Sequence, residues 1–372
     1  MRVEFEKKEQ EAFVEDARKI VLGMSGGVDS ATSAIYLMRA GYEVIGCTAL
    51  FLDDEHSRQS AKEAEAVCKS LGIVHITRDC TALFEREVVK PFVEDYAHGL
   101  TPSPCVQCNA RAKIPALFEV ARELACEKVA TGHYARIDSL AHNGRYIVKT
   151  ALDQSKDQSY MLSQLSQAQL KSLVLPLGSS TKVEVRALAK EAGLEVAHKE
   201  DSQDICFIDG KYPDFLRARG LIEKEGSIVD RSGKVLGKHA GLSSLTVGQR
   251  KGIGVAAAEP YYVLDKRFET NELVVGFKEE SFINGVVVHK LNWQAIECLG
   301  NPLECTVKLR YRSRAVPCVV EPCAIGSDTD SATVVVSFSN PQASTASGQV
   351  AVFYQGEEVL GGGVIREVHC VS

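Results

Sequence analysis

No run in this 372-residue sequence approaches the roughly 20 consecutive apolar residues that cross a bilayer. The opening stretch MRVEFEKKEQEAFVEDARK is charged throughout and lacks the apolar centre of a secretory signal. A soluble, cytoplasmic protein with no membrane partner is therefore expected. An excess of positive charge is also missing. The formal net charge is -6, which argues against a strongly basic protein but leaves room for a local basic patch on RNA phosphates. There are no internal repeats and no low-complexity tract. With 45% hydrophobic and 25% charged residues, the chain can build two or three packed domains.

Cysteine, by contrast, is plentiful, with 12 residues. In a reducing compartment such thiols serve as core filler, metal ligands or reactive groups rather than structural disulfides. Cys47, Cys68 and Cys126 lie among apolar neighbours in strand-like or helix-like segments and read as filler.

Hydrophobic spacing alternates between strands and helices over the first half. KIVLGM (19–24) is a short apolar run, and SATSAIYLMRA (30–40) has helical spacing up to Gly41. Tyr42 to Phe51 reads as a strand. Ser60 to Leu71 reads as a helix opened by a Ser60/Glu63 capping box and stopped by Gly72, and Ile73 to Thr77 as the next strand. A helix near 113–125 leads into a strand at 128–131, and 182–192 is a helix between a Thr181/Glu184 capping box and Gly193. This alternation predicts an α/β fold with a doubly wound parallel sheet. Past residue 220 helical periodicity gives way to short β-branched runs. Those at 303–312, 316–323, 333–338 and 349–354 are spaced like the strands of a small closed barrel or sandwich. The expected layout is a charged extension (1–18), an α/β domain (19–220), a central β-rich domain (221–285) and, after a turn at 282–285, a C-terminal β-barrel (286–372).

Ser25-Gly26-Gly27-Val28-Asp29-Ser30 falls at the end of the first strand and opens the next helix, where an α/β sheet binds anions. Two glycines let the backbone approach a diphosphate and turn N–H groups inward. Ser25 and Ser30 add hydroxyls, and Asp29 can orient Mg²⁺. The Gly-Lys-Ser/Thr ending of a Walker A loop is absent, so transfer of a terminal phosphoryl group is not indicated. The arrangement resembles the PP-loop of N-type ATP pyrophosphatases (adenine nucleotide alpha hydrolase-like), which attack ATP at the α-phosphate and release pyrophosphate. A tight connecting turn is the plainer alternative.

Two further segments carry thiols. TPSPCVQCN (101–109) is a proline-set loop with a C-x-x-C, and DSQDICFI (201–208) presents Cys206 beside polar residues. A useful thiolate needs positive surroundings, for which Lys113, Arg111 and Lys199 are close in sequence. Zinc on Cys105 and Cys108 would need a second pair, and only Cys318 and Cys323 are similar, in a different predicted domain. A thioredoxin-like motif should open a helix after a strand, whereas this one follows two prolines. For Cys206, flanked by Ile205, Phe207 and Ile208, core filler stays open.

Together, GMSGGVDS (23–30), TPSPCVQCN (101–109), ATGHYAR (130–136), KDQSYML (156–162), DICFI (204–208), GQRKGIG (248–254), RYR (310–312) and VFYQGEEVLGGG (352–363) resemble the tRNA-specific 2-thiouridylase family (MnmA/TrmU). The resemblance implies an ATP site formed by Gly23, Met24, Ser25, Gly26, Gly27, Val28, Asp29 and Ser30 with Ala49 and Gly132. It implies that Ser103, Pro104 and Cys105 meet the target base, and that Lys156, Asp157, Gln158, Arg310 and Tyr311 contact tRNA. It further implies adenylation of uridine 34 in the anticodon stem-loop, sulfur delivery from a Cys206 persulfide, and release by Cys108 with a disulfide left behind. A sulfur-donor protein (a cysteine desulfurase or sulfur relay) and a reductant would then be partners. The two cysteines must come within about 7 Å at their Cα atoms, so a loop movement on tRNA binding is expected.

Some relatives carry aspartate where this chain has Cys105, so an acid/base role there does not carry over. The three thiols Cys105, Cys108 and Cys206 leave an iron-sulfur cluster as another use. Without the resemblance, Arg310, Arg312 and Arg314 read as a solvated strand face, 249–251 as a polar turn and His133 as a core histidine. A different PP-loop ligase acting on a small molecule and a non-catalytic RNA-binding or sulfur-relay protein are the competing functions.

Overall fold

The computed structural model describes residues 18–199, 205–323 and 333–370. Almost all of the charged extension and the polar run 201–204 lie outside the described residues.

The first sheet contains β1 (Arg18–Gly23), β2 (Tyr42–Leu50), β3 (Val74–Asp79), β4 (Lys128–Ala130) and β7 (Leu173–Val174) in the order β3-β2-β1-β4-β7, all parallel. Its alternation is visible in β1. Ile20 and Leu22 pack with α1 (Val28–Arg39) and α6 (Lys182–Glu191), whereas Val21 packs on the opposite face with α5 (Ile114–Glu123). Both faces are therefore covered, as a βαβ winding requires. The chain reverses its direction of winding between β1 and β4, so the crevice beyond their carboxyl ends is the natural ligand position.

Capping explains one success and one error of the sequence reading. Thr181 and Glu184 form the expected reciprocal box at the start of α6. By contrast α2 (Glu55–Leu71) starts five residues before Ser60, because the Asp54 carboxylate accepts the Ser57 N–H at 2.6 Å. The added turn, Glu-His-Ser-Arg-Gln, has no apolar period and leaves no trace in a hydrophobic count. Gly72 ends α2 at φ +70°, as read.

The hairpin β5 (Ala135–Ser139) and β6 (Tyr146–Thr150) leaves the α/β domain and pairs with the C-terminal sheet through β17. The central unit is a four-stranded sheet, β8 (Gly226–Val229), β9 (Val235–His239), β10 (Tyr262–Arg267) and β11 (Glu272–Gly276). The last unit comprises β12 (Phe282–Trp293), β13 (Leu303–Lys308), β14 (Val316–Cys323), β15 (Thr333–Ala343), β16 (Val350–Gln355) and β17 (Glu358–Cys370). The ladder β12-β15-β14-β13-β16-β17 returns to β12 and closes a six-stranded barrel around Val286, Val288, Val307, Val320, Val336 and Phe353. The turn read at 282–285 is instead the start of β12. Gly285 sits where an added Cβ would lie 2.5 Å from the Val336 carbonyl oxygen, so close strand approach, not a turn, demands glycine.

Candidate active site

The phosphate loop runs from the end of β1 into α1. Gly26 holds φ +69° against α2, where a Cβ would meet the Ser60 carbonyl oxygen at 2.8 Å. Gly27 is the N-cap of α1 and carries no side chain to satisfy the first-turn N–H groups. A Cβ added there would meet only Ser25 Oγ, at 3.5 Å, so its flank is open. An uncapped helix start beside open space is the arrangement that receives an anion. Ser30 Oγ accepts the Ser25 N–H at 3.3 Å and donates to the Gly27 carbonyl at 3.1 Å, which fixes the loop without filling it. Gly132 packs on the backbone of Asp29 and Ser30, where a built Cβ would lie 3.1 Å from the nearest atom, a tight contact. Met24 is buried, and Ala49 lies at the carboxyl end of the neighbouring strand β2.

Asp29 does not stand alone. Its carboxylate accepts hydrogen bonds from Lys182 Nζ at 2.7 and 2.9 Å and from the Tyr134 hydroxyl at 2.8 Å. Lys199, a sequence candidate for the thiols, instead reaches the phosphate loop, donating to the Gly26 carbonyl at 3.3 Å and pairing with Glu63 at 2.5 Å. Lys182 escaped the sequence reading because it counted there only as the first residue of a helix.

The C-x-x-C segment is not a loop. Pro104 occupies the first turn of the short helix α4 (Pro104–Cys108), which passes into a π-helical turn at Asn109–Lys113. Pro104 starts the helix, since the ring's fixed φ and missing N–H suit that position. Cys105 and Cys206 are exposed and Cys108 is buried. Cys206 is thus no core filler, although Ile205, Phe207 and Ile208 join Cys108, Phe84 and Phe92 in one apolar cluster. Cys47, Cys68 and Cys126 are buried as read.

Burial pushes the Cys108 thiol up to about 11; Lys113 opposes this, while nearby Cys206 and Cys105 add to it. The protein packed around Cys105 and Cys206 raises them too, again against Lys113. The three sulfurs and one ammonium therefore share a local field. Lys113 gets there through the π turn, which puts residue i+5 where an α-helix would put i+4. His133 is buried, bonded to Thr131 Oγ1 at 2.8 Å, and driven down to about 3 by burial with help from Lys113, so it is neutral at physiological pH.

The approach to α4 is tied to the barrel. Gln349 Nε2 donates to the Thr101 carbonyl at 2.8 Å, the Thr101 N–H donates to the Ser347 carbonyl at 2.8 Å, and Ser103 Oγ donates to Gln349 Oε1 at 3.5 Å. Arg310 and Tyr311 lie beyond the end of β13 rather than on a strand face. Arg310 donates to the carbonyls of Ser344 (2.8 Å) and Val247 (3.3 Å), linking barrel and central unit. The Tyr311 ring packs on Tyr160 at 5.9 Å, and its hydroxyl is raised by burial and then by Asp157, with Cys105 also in range. Asp157 is buried and accepts from the Ala151 N–H, the Ser159 N–H and hydroxyl, and Lys308. Gln158 accepts the Tyr134 N–H at 2.9 Å, and Lys156 is half-buried beside Asp157. Cys318 is buried in the barrel, its sulfur 3.6 Å from that of Cys305 on the facing strand. Among the described residues, no three His, Cys, Asp or Glu side chains are grouped to hold a metal ion.

The chain matches three family models in succession. Residues 18–210 match the tRNA methyl transferase HUP domain, 213–277 the tRNA methyl transferase PRC-barrel domain and 283–365 the Aminomethyltransferase beta-barrel domain. The chain is 43% identical over 352 residues to the tRNA-specific 2-thiouridylase MnmA of Microcystis aeruginosa, covering 93% of this chain and 98% of that one. It is 41% identical over 355 residues to MnmA of Nostoc punctiforme (94% and 99%) and 41% over 363 residues to MnmA of Carboxydothermus hydrogenoformans (94% and 98%). A solved structure, the U34-tRNA thiolase NcsA from Methanococcus maripaludis with its [4Fe-4S] cluster, aligns at a TM-score of 0.34 and 18% identity over 58% of this chain and 70% of that one, too distant to bear on mechanism. On the strength of its near full-length relatives, the chain belongs to the tRNA-specific 2-thiouridylase family.

Proposed function

We infer that the protein is a tRNA-uridine 2-sulfurtransferase that uses ATP to convert uridine 34 of the anticodon to 2-thiouridine, with AMP and pyrophosphate as the other products. The observation that carries the reading is one α/β domain holding both an open, uncapped helix start at its phosphate loop and three thiols around Lys113.

An amide-like carbonyl is a poor electrophile. Attack of the uridine O2 on the α-phosphate of ATP expels pyrophosphate and converts that oxygen into part of an AMP leaving group. The first-turn N–H groups of α1 stabilise the departing charge. Asp29 is the carboxylate that would hold Mg²⁺, and the ion would supply neutralisation of the phosphate charge. The outer sulfur of a Cys206 persulfide attacks C2, AMP leaves, and the base is joined to Cys206 through a disulfide. Cys108 thiolate then attacks the Cys206 sulfur, breaking that S–S bond, releasing the thiolated base and closing a Cys108–Cys206 disulfide. A thiol reductant opens it, and a persulfide-bearing donor protein reloads Cys206. Ser103, Pro104 and Cys105 border the base pocket. Lys156, Gln158, Arg310 and Tyr311 form the tRNA side, with Asp157 acting through its hold on Ser159 and Lys308. No step is derived through an iron-sulfur cluster: among the described residues, Cys105, Cys108 and Cys206 are not grouped so as to hold a metal ion. Among the described residues no helix is long and apolar enough to cross a membrane.

Nucleoside mass spectrometry of tRNA incubated with the protein, ATP and a persulfide source tests the reading. 2-Thiouridine at position 34, dependent on ATP, is the expected product; an unmodified anticodon with full ATP turnover would refute it.

A further inference from the structure

The link 98–103 joins α3 (Lys90–Ala97) to the thiol-bearing helix α4, and three units grip it. Within the α/β domain, the Gly99 N–H donates to the Tyr96 carbonyl at 3.1 Å and the Leu100 N–H to the Asp95 carbonyl at 2.9 Å. The barrel holds Thr101 through Ser347 and Gln349. The central unit adds the Phe268 ring, which its β10–β11 turn lays on Gly99. A Cβ added at Gly99 would collide with three ring carbons, Cδ2 at 2.5 Å and Cζ at 2.7 Å among them. Gly99 also holds φ +80° as the chain leaves α3.

Glycine is needed there twice over, for the backbone angle and for the room the ring takes. The ring thereby stands where a side chain of residue 99 would stand. It is fixed from its own side as well. The Asn271 N–H closes the turn on the Phe268 carbonyl at 3.3 Å, and Lys266, two residues earlier on β10, brings its ammonium to 5.7 Å from the ring centre. That ammonium is buried and, among the described residues, has no hydrogen-bond partner, so the ring supplies a favourable contact that it would lose if the ring swung away. The backbone that leads into α4 therefore has two external fixed points, Phe268 at Gly99 and the barrel at Thr101, from units that supply none of the reacting sulfurs.

We propose that Phe268 is a positioning residue for sulfur transfer: seated on Gly99, its ring holds the link that places Ser103, Pro104, Cys105 and Cys108. This rests on the thiolation reading above. It gives the central unit a task in the chemistry, performed through the Gly99 backbone with no contact to a reacting atom.

The test compares the full chain as wild type, Phe268→Ala, Phe268→Leu, Gly99→Ala and the Phe268→Ala/Gly99→Ala double variant. Phe268 is 39% exposed, so its truncation should leave the fold intact; if it does not, Gly99→Ala probes the same contact from the other side. Single-turnover formation of 2-thiouridine with tRNA, ATP and a persulfide source should fall by about ten- to hundredfold in Phe268→Ala, with Mg·ATP affinity by calorimetry unchanged. Phe268→Leu, which keeps apolar bulk on Gly99, should retain most of the rate. Iodoacetamide labelling of Cys105 relative to the exposed Cys298 should rise in Phe268→Ala as the link loosens. The double variant should lose less than the product of the two single losses, because both break one contact. A wild-type rate in Phe268→Ala, multiplying losses in the double variant, or a parallel loss of ATP affinity overturns the assignment while leaving thiolation standing. Failure of the wild-type chain to form 2-thiouridine would instead remove the underlying reading together with the proposal.

Discussion

At pH 8 Cys108 should be a poor nucleophile in the tRNA-free protein, and the size of the effect follows from its surroundings. With the thiol pushed up to about 11 by burial, about one molecule in a thousand carries the thiolate at that pH. A thiol near the ordinary 9.0 would carry it in about one in ten, so alkylation should be at least about a hundredfold slower than for a free thiol, before the limited access to a side chain 8% exposed is counted. Peptide mapping by mass spectrometry after short iodoacetamide pulses measures this directly. Cys105 and Cys206, both exposed, should label first, and the Cys108 rate should climb about tenfold per pH unit from pH 7 to 10. Lys113→Met, which removes the one cation opposing all three shifts, should slow labelling at each thiol. Cys108 labelling as fast as in the urea-unfolded chain, or a rate flat between pH 7 and 9, would refute the reasoning.

Gly26→Ala forces a side chain at φ +69° into the Ser60 carbonyl, so a stability loss of about 1–3 kcal/mol and loss of ATP binding are expected from thermal melts and calorimetry. Gln349→Leu deletes the donor to the Thr101 carbonyl; thiolation should slow while ATP affinity holds, and an unchanged single-turnover rate would show that the tie does not matter. His133 is neutral in the fold down to about pH 3 but protonates near 6.5 when unfolded, so the unfolded state binds more protons in between and stability falls as pH drops. From pH 6.5 to 5 the loss attributable to it should be about 2 kcal/mol, and denaturant melts of His133→Gln should show a flatter acid limb.

Much of the α/β half was legible because its signals are local. The β1 run, the two adjacent glycines, the Thr181 box and the Gly72 stop each act within a few residues, and the structure reproduces them. The barrel strand at 316–323 was equally plain from its β-branched run. What escaped depends on contacts distant in sequence. Lys182 reaches Asp29 across the domain, Lys199 turns to Gly26 rather than to a thiol, and the 135–150 hairpin joins a sheet formed by residues beyond 280. The C-x-x-C segment misled for a different reason: proline is read as a breaker, but at the first helical turn it is a starter. The π turn that carries Lys113 to the thiols has no sequence signature of its own.

In the proposed reaction Cys206 delivers the sulfur after ATP has activated the base. Single-turnover assay of Cys206→Ser with tRNA, ATP and a persulfide source measures both halves at once. Formation of AMP at the wild-type rate without any 2-thiouridine is the predicted outcome; thiolated uridine in that variant would contradict the account.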